Sequence, residues 1–518
     1  MPDLLSLYAS TQPDKLAVID DSAGAGITTW TYAQLEAEAN RLANALASLG
    51  VGRGQKVIWC GPNSPQVVAV MNATRKIGAV AVPLNYRLTA EEAQYIVVHS
   101  DASVAYVDAE YAHLLATPGD EQLGSLRHVI AYGGTPQAGL LGEDLVASAS
   151  AEHPGEAEGE SPGATMIYTS GTTGKPKGAY RNMTDQTTAI ALIGFIGYTP
   201  DDVYLTSGPL YHSGPSAFMG AGLALGQTIV LQRKFEPEDW LRLVDTYKVS
   251  STFSAPPLIR LVCALPAEVK NRYGRSSMKR MLANAAPWSF ALKQAYLADF
   301  PADSLWEIYG STELGVNCVL EPKDQLRKPG SCGKPAPGVE IRLLDAAGNE
   351  VTGTGPDHPG ELYVRSTGVF NEYYKQPDSY EAARHGDFHT VGDIAYRDEE
   401  GYLYICDRKN DMIISGGMNT YPAEIEAALE QHPEIFDVAV FGIPSEEWGE
   451  QVHAAVVLAP GASLSEADVM AYAREHLAGY KSPRSVSFMA ELPRTGSGKL
   501  LKRQLRAPYW AGHATKVG

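Results

Sequence analysis

Cysteine is scarce in this 518-residue chain, which carries five: Cys60, Cys263, Cys318, Cys332 and Cys406. They stand far apart, with no CxxC pair and no histidine at ligand spacing. Neither a disulfide frame nor a zinc site is indicated, and a reducing, cytoplasmic compartment is expected. Positive charge is also short: 42 Lys and Arg face 60 Asp and Glu, a formal net charge of -18. Nucleic-acid and anionic-membrane surfaces gain affinity from pooled Lys and Arg, so neither partner is expected, and an anionic ligand must be held by local groups. Long apolar runs are missing. No stretch reaches the roughly 18 apolar residues of a membrane span, and the opening "MPDLLSLYASTQPDK" lacks the basic region and apolar run of a leader. The apolar segment 187–198, "TTAIALIGFIGY", is short enough to be a core helix.

What is present points to a large globular chain, too long for one ordinary core. Leu35, Leu42, Leu46 and Leu49 recur at helical steps and Gly50 follows as a stop, which predicts an amphipathic helix over 31–50. "KVIWC" (56–60) reads as a buried strand, and "PQVVAVMNATRKIGAVAVPLN" as helix, turn and strand. This alternation predicts an α/β fold with layered sheets. Residues 149–165 form an acidic, Pro/Gly/Ser-rich stretch that reads as a surface loop. A composition break near 407–411 is followed by a strand at 412–415, a helix at 423–432 and strands at 437–443 and 452–459. A helix ending near Leu477, a strand at 485–490 and a basic helical tail complete the chain. The expected organisation is a large domain at 1–408 and a smaller, mobile α+β domain at 409–518.

The stretch "YTSGTTGKPKG" (168–178) crowds hydroxyls, glycines and two lysines behind the apolar run "MIY". Backbone amides, hydroxyls and ammonium groups in such a loop can surround a polyphosphate. It is not a Walker loop, because Gly174-Lys175 is followed by Pro176 instead of Ser or Thr, and Thr169 stands where the first glycine should be. Taken alone, the loop could equally be a polar surface turn.

Its company decides the reading. "YTSGTTGKPKGA", "PLYHSGP" (209–215), "NAAPWS" (284–289), "YGSTE" (309–313), "VGDIAYRDEEGYLYICDRKNDMIISGG" (391–417), "YPAEIE" and "PRTGSGK" occur in this order. Together they resemble the acyl-adenylate-forming superfamily, which includes acyl-CoA synthetases, peptide-synthetase adenylation domains and firefly-type luciferases. The resemblance spans nearly the whole chain. It implies an AMP-forming acid-thiol ligase: a carboxylate attacks the α-phosphate of ATP, with Mg2+ bound, to give acyl-AMP and release pyrophosphate, and the thiol of coenzyme A then attacks the acyl carbonyl and displaces AMP. The first step joins two anions, so positioning and local cations are its physical requirement.

By the same resemblance Thr169, Ser170, Gly171, Thr172, Thr173 and Lys177 hold the β- and γ-phosphates. Glu313 binds magnesium, a hard cation suited to carboxylate oxygen, and Thr312 contacts the α-phosphate. Tyr309 lies against adenine, Asp393 accepts from the ribose hydroxyls, and Arg408 assists. Lys499 in "TGSGKL" is the implied adenylation catalyst, whereas Lys502 and Arg503 read as solvated lysine and arginine of the tail. The hinge position, usually Asp or Lys, is Asn410, and Gly416 and Gly417 border the pantetheine tunnel after domain rotation.

His212 corresponds to the residue guarding the acyl pocket, which Ser213, Ala285, Ala286, Pro287 and Gly310 help to line. No acidic residue among these stretches would meet an α-amino group, which argues against an amino acid as substrate. Where relatives read "KGV..TH.N", this chain has "KGAYRNMTD", with Arg181 and without the histidine. That segment and "GPLYHSGPSAF" resemble the branch acting on bile-acid, steroid-like or terpenoid acids, with medium-chain fatty and aryl acids as alternatives. A further alternative is a partial ligase that accepts only preformed acyl-AMP. Oligomeric state is left open, a homodimer included.

Overall fold

The computed structural model describes residues 3–22, 26–115, 124–136, 139–155, 163–169, 175–182, 184–284, 288–409, 411–415, 418–494 and 500–511. The first predicted helix forms as Tyr32–Ser48. Thr31 accepts from Gln34 N, while the Gln34 side chain receives Thr31 N, a reciprocal cap that fixes the start. Leu35, Leu42 and Leu46 lie buried on its inner face, and Gly50, with φ +84°, supplies the left-handed residue that ends it.

Lys56–Cys60 is a strand with parallel neighbours on both sides, Val57 pairing with Ala81 and with Val104. Four of its five residues are buried, the signature of a strand covered on both faces. It belongs to a sheet of seven strands among the described residues, and a second sheet of nine contains Val203–Thr206, Ser251–Ser254, Arg280–Ala283 and Leu305–Ser311 in parallel array. One hydrophobic core runs between them, taking in Trp59, Val67 and Val68 from one side and Tyr204, Phe218, Phe253 and Ile308 from the other. A third, antiparallel sheet is built from residues between Glu340 and Arg408. Strand pairing then changes sheet: Ile413–Ser415, Met418–Thr420, Ile435–Ser445, Gly449–Leu458 and Ser485–Phe488 form a fourth sheet with its own core of Ile413, Ile425, Leu429 and Val440. The fold is mixed α/β, large unit first.

Two expectations are corrected. The apolar helix is Thr187–Ile196, but only Leu192, Ile196 and Thr188 are buried, while Ile190 is 63% and Phe195 44% exposed. It is a surface helix with one inward face; an all-apolar composition carried no phase to reveal this. Lys502 is not a solvated tail lysine. Its ammonium reaches Glu426 Oε1 at 2.9 Å, also faces Asp407, and only 14% of its side chain is exposed. The loop expected at 149–165 is described only as far as residue 155 and from 163.

The N-terminal helices are tied by a buried charge knot. Lys76 closes the helix Pro65–Lys76 with no exposed side-chain surface, and its Nζ meets Asp3 Oδ2 at 2.5 Å, Glu36 Oε1 at 2.8 Å and Ser6 Oγ at 3.2 Å. Burial works to raise the Asp3 pKa, but Lys76 and Arg75 outweigh it and bring the carboxyl from 3.8 to about 2. Lys76→Met strands two carboxylates, and is expected to cost about 3–5 kcal/mol in urea unfolding, against the 0–1 kcal/mol or so of an exposed pair. Because the Asp3 value is depressed, its contribution is present above about 3.8 and disappears as pH falls through about 2. An unfolding midpoint unchanged by Lys76→Met would contradict this role.

Candidate active site

The site forms where the two large sheets present the ends of their strands. Ala164–Thr169 and Lys177–Asn182 pair antiparallel, with Thr169 opposite Lys177, so the base of the phosphate-loop hairpin is set by register. Ser170, Gly171, Thr172 and Thr173 lie outside the described residues. Thr169 Oγ1 donates to Glu313 Oε1 at 3.0 Å, and Tyr373 OH reaches the same oxygen at 3.3 Å. Among the described residues no cation pairs with Glu313 within 4.0 Å. A carboxylate set among hydroxyl oxygens is a donor set that fits a hard cation. Lys177 is not on the cavity wall; its Nζ donates to Ser379 Oγ at 3.1 Å and stands over the Tyr373 ring.

Glu313 belongs to the turn joining Leu305–Ser311 to Gly315–Leu320. This turn is tight: a Cβ on Gly310 would lie 2.1 Å from the Gly315 carbonyl oxygen, and Gly315 itself has φ +74°. Thr312 Oγ1 is 2.9 Å from Ser213 Oγ, which joins the turn to the start of the helix Ser213–Ala224. Tyr309 OH donates to Asp393 Oδ2 at 2.5 Å, and Arg408 Nε lies 3.4 Å from Asp393 Oδ1. Tyr309, Asp393 and Arg408, spread over a hundred positions, therefore form one cluster. His212 precedes the helix Ser213–Ala224 with its ring 4.4 Å from that of Tyr211 and its Nε2 buried without a partner. Burial, helped by Arg87, pushes its pKa down to about 4, so the imidazole is neutral at physiological pH.

Thr169, Tyr309, Gly310, Thr312, Glu313, Asp393, Arg408, His212 and Ser213 share one cavity of about 1660 Å³. Its lining also includes the apolar Met71, Leu192, Ile193, Phe218, Met219 and Phe253. The unit beyond residue 408 closes another side with Asp437, Arg494, Leu500 and Lys502. Lys499, Asn410, Gly416, Gly417, Ala285, Ala286 and Pro287 lie outside the described residues. Arg494 and Leu500, which bracket 495–499, pair as an antiparallel bridge on the cavity wall.

The family described as "AMP-binding enzyme" matches residues 6–374, and "AMP-binding enzyme C-terminal domain" matches 424–499. The chain belongs to the AMP-binding enzyme family. It is 35% identical over 488 residues to feruloyl-CoA synthase of Amycolatopsis sp, covering 93% of this chain and 95% of that one. It is 32% identical over 526 residues to the fatty acid–[acyl-carrier-protein] ligase ScoC of Streptomyces coeruleorubidus, covering 99% and 97%. Among solved structures, ATP-bound MatB from Rhodopseudomonas palustris superposes with a TM-score of 0.86 at 28% identity, covering 98% of each chain.

In this AMP-binding enzyme two side chains of the site escaped sequence reasoning in whole or in part. Tyr373 carries no motif signal, its contact with Glu313 being made by an edge strand sixty residues on. Trp288, which ends the stretch expected to line the pocket, borders the cavity, its buried Nε1 without a partner among the described residues. Arg181 was visible as a departure from the common pattern, but its task was not. Its guanidinium donates to the carbonyl oxygens of Thr312 at 2.8 Å, Glu313 at 3.4 Å and Gly368, holding the turn from behind. Burial pushes its pKa down to about 10, with the Glu313 charge opposing, so it stays cationic. Arg181→Met leaves these carbonyls without their donor and is expected to weaken ATP binding about 10–100-fold by calorimetry, with Arg181→Lys intermediate. Equal affinity in all three proteins would remove Arg181 from the account.

Proposed function

We propose that this enzyme is an acid:CoA ligase, forming acyl-AMP from ATP and a hydrophobic carboxylic acid and then passing the acyl group to coenzyme A. One observation carries the reading: the Thr169–Glu313 pair, the Tyr309–Asp393–Arg408 cluster and the apolar side chains open onto a single cavity. The polar cluster would take the nucleotide and the apolar residues the acid, with Thr312 at the phosphate that joins them. Asp393, fixed by Tyr309 and Arg408, has the acceptor oxygens to receive ribose hydroxyls. The Tyr309 ring offers an uncharged face for the base.

Glu313 would hold Mg2+, which when bound neutralises phosphate charge. Ser170, Gly171, Thr172 and Thr173 would complete the phosphate cradle, with Lys177 turning from Ser379 to join them, and Thr312 would address the phosphate that is attacked. In-line attack needs the two anions to approach, and Lys499 would supply the ammonium that lets them. Arg494 and Leu500, which flank 495–499, line the cavity, whereas no described residue from 412 to 420 does, and this supports the reading. This arrangement suits the first half-reaction. For the second, the unit after residue 408 would rotate about Asn410 and bring Gly416 and Gly417 to the pantetheine arm.

The acid we propose is bulky and alicyclic, of steroid or terpenoid type. Support comes from the likeness of "KGAYRNMTD" and "GPLYHSGPSAF" to the branch acting on such acids and from the apolar Phe218, Phe253, Met71 and Met219 in the cavity lining. An aryl acid is the second reading, favoured by the likeness to feruloyl-CoA synthase. Cholate, ferulate and decanoate, each with ATP, Mg2+ and CoA, separate these by AMP release. Fastest turnover of cholate supports the alicyclic reading, and fastest turnover of ferulate replaces it. Substituting a phosphopantetheinyl carrier protein for CoA tests the acceptor.

Lys499→Ala is expected to lower ATP–pyrophosphate exchange by about 10²-fold or more while sparing CoA thioester formation from synthetic acyl-AMP. Equal loss of both would refute its assigned role. Absence of exchange in the unsubstituted enzyme beside competent thioester formation would instead indicate the partial ligase.

A further inference from the structure

One contact between the large unit and the residues after 408 is made by Arg260. It lies in the last turn of the helix Pro256–Cys263, and the polar partners of its guanidinium belong to residues 430–437. Its guanidinium donates to the Phe436 carbonyl oxygen, stands 3.5 Å from Glu430 Oε1 and 3.9 Å from Asp437 Oδ1, and lies 5.7 Å from the Phe436 ring centroid. Only 22% of the Arg260 side chain and 14% of that of Asp437 remain exposed, so the contact is largely removed from solvent screening.

Asp437 faces two ways. Both of its oxygens accept from Arg494 Nη2, at 2.9 and 2.8 Å. Arg494 in turn pairs with Leu500, and the segment between them carries Lys499. Arg260, Asp437, Arg494 and Leu500 all border the site cavity. A chain of contacts thus runs from a helix of the large unit, through one carboxylate, to the two residues that flank 495–499.

We propose that Arg260 is a positioning residue for adenylation: through Asp437 and Arg494 it latches the small unit in the arrangement in which the residues flanking 495–499 border the cavity. This rests on the acid:CoA ligase reading and on the role given there to Lys499. The physical argument is differential. A contact whose partners all lie across the joint exists in only one of two arrangements, so it shifts the equilibrium between them by its own free energy. Rotation about residues 409–411 would carry Phe436, Glu430 and Asp437 away together. Arg260 therefore favours the first half-reaction and holds back the second, and a purely structural arginine would affect both or neither.

Arg260→Met is expected to lower ATP–pyrophosphate exchange on the order of tenfold, the scale of a typical coupling between two states, and to leave thioester formation from synthetic acyl-AMP unchanged or faster. Arg260→Lys, which keeps one donor, should recover part of the loss. The probes are cholate, ferulate and decanoate with their synthetic adenylates. An arm that needs no acid uses spin labels at the exposed Lys248 and Glu475: Arg260→Met should move population away from the main distance seen in the unsubstituted enzyme. Matching distance distributions, or equal change in both half-reactions, would overturn the proposal. Lys499→Ala run in parallel keeps the two ideas apart. If it divides the half-reactions while Arg260→Met does not, the latch alone is wrong; if it lowers both equally, the ligase mechanism fails at Lys499.

Discussion

The turn at residues 312–313 is the joint on which the site depends. It grows from the nine-stranded sheet, yet it is gripped from the seven-stranded one: Arg181 takes its carbonyl oxygens, and Thr169 and Tyr373 take the Glu313 carboxylate. Two sheets that share a core are thereby locked in relation to each other at the place where their strands end. Ligands of α/β sheets sit at such strand ends because the connecting loops there can converge while the sheets stay rigid. Here convergence is enforced by a cation held on backbone oxygens, which fixes main-chain position as well as charge.

A protein of net charge -18 that handles a polyphosphate and a carboxylate must place each positive charge deliberately. Arg181 is spent on the backbone, Arg408 on Asp393 and Lys177 on Ser379 in this structure. In the proposed mechanism the cation for the reacting anions is Lys499 of a different unit, and the residues flanking 495–499 are tied to the large unit through Asp437 and Arg260. Such a division of charge would make the chemistry conditional on how the two units are arranged, and would let one cavity serve two steps with different needs.

The layered α/β class, the capped helix at 32–48 and the strand at 56–60 were legible because local period and capping signals agree with the tertiary fold. That Tyr309, Asp393 and Arg408 belong together was suggested only by motif likeness. Nothing in spacing places Tyr309 against Asp393, 84 residues away, or Tyr373 against Glu313. The inward and outward faces of Thr187–Ile196 stayed hidden because every phase of that helix is apolar. Lys502 looked solvated beside its basic neighbours, and its partners Glu426 and Asp407 are supplied by distant elements. Arg260 carried no signal at all, since an isolated arginine in a helix gives no hint that another unit will dock on it.

The central claim, that the 312–313 turn and the Asp393 cluster together form the floor of a nucleotide site facing an apolar acid pocket, is most directly tested by a crystal structure with acyl-AMP bound. The account predicts the phosphate within hydrogen-bond distance of Thr312 Oγ1, the ribose hydroxyls on Asp393, and the acyl group running toward Phe218 and Phe253. An adenylate lying elsewhere, or bound with its acyl group turned away from those residues into solvent, would contradict it.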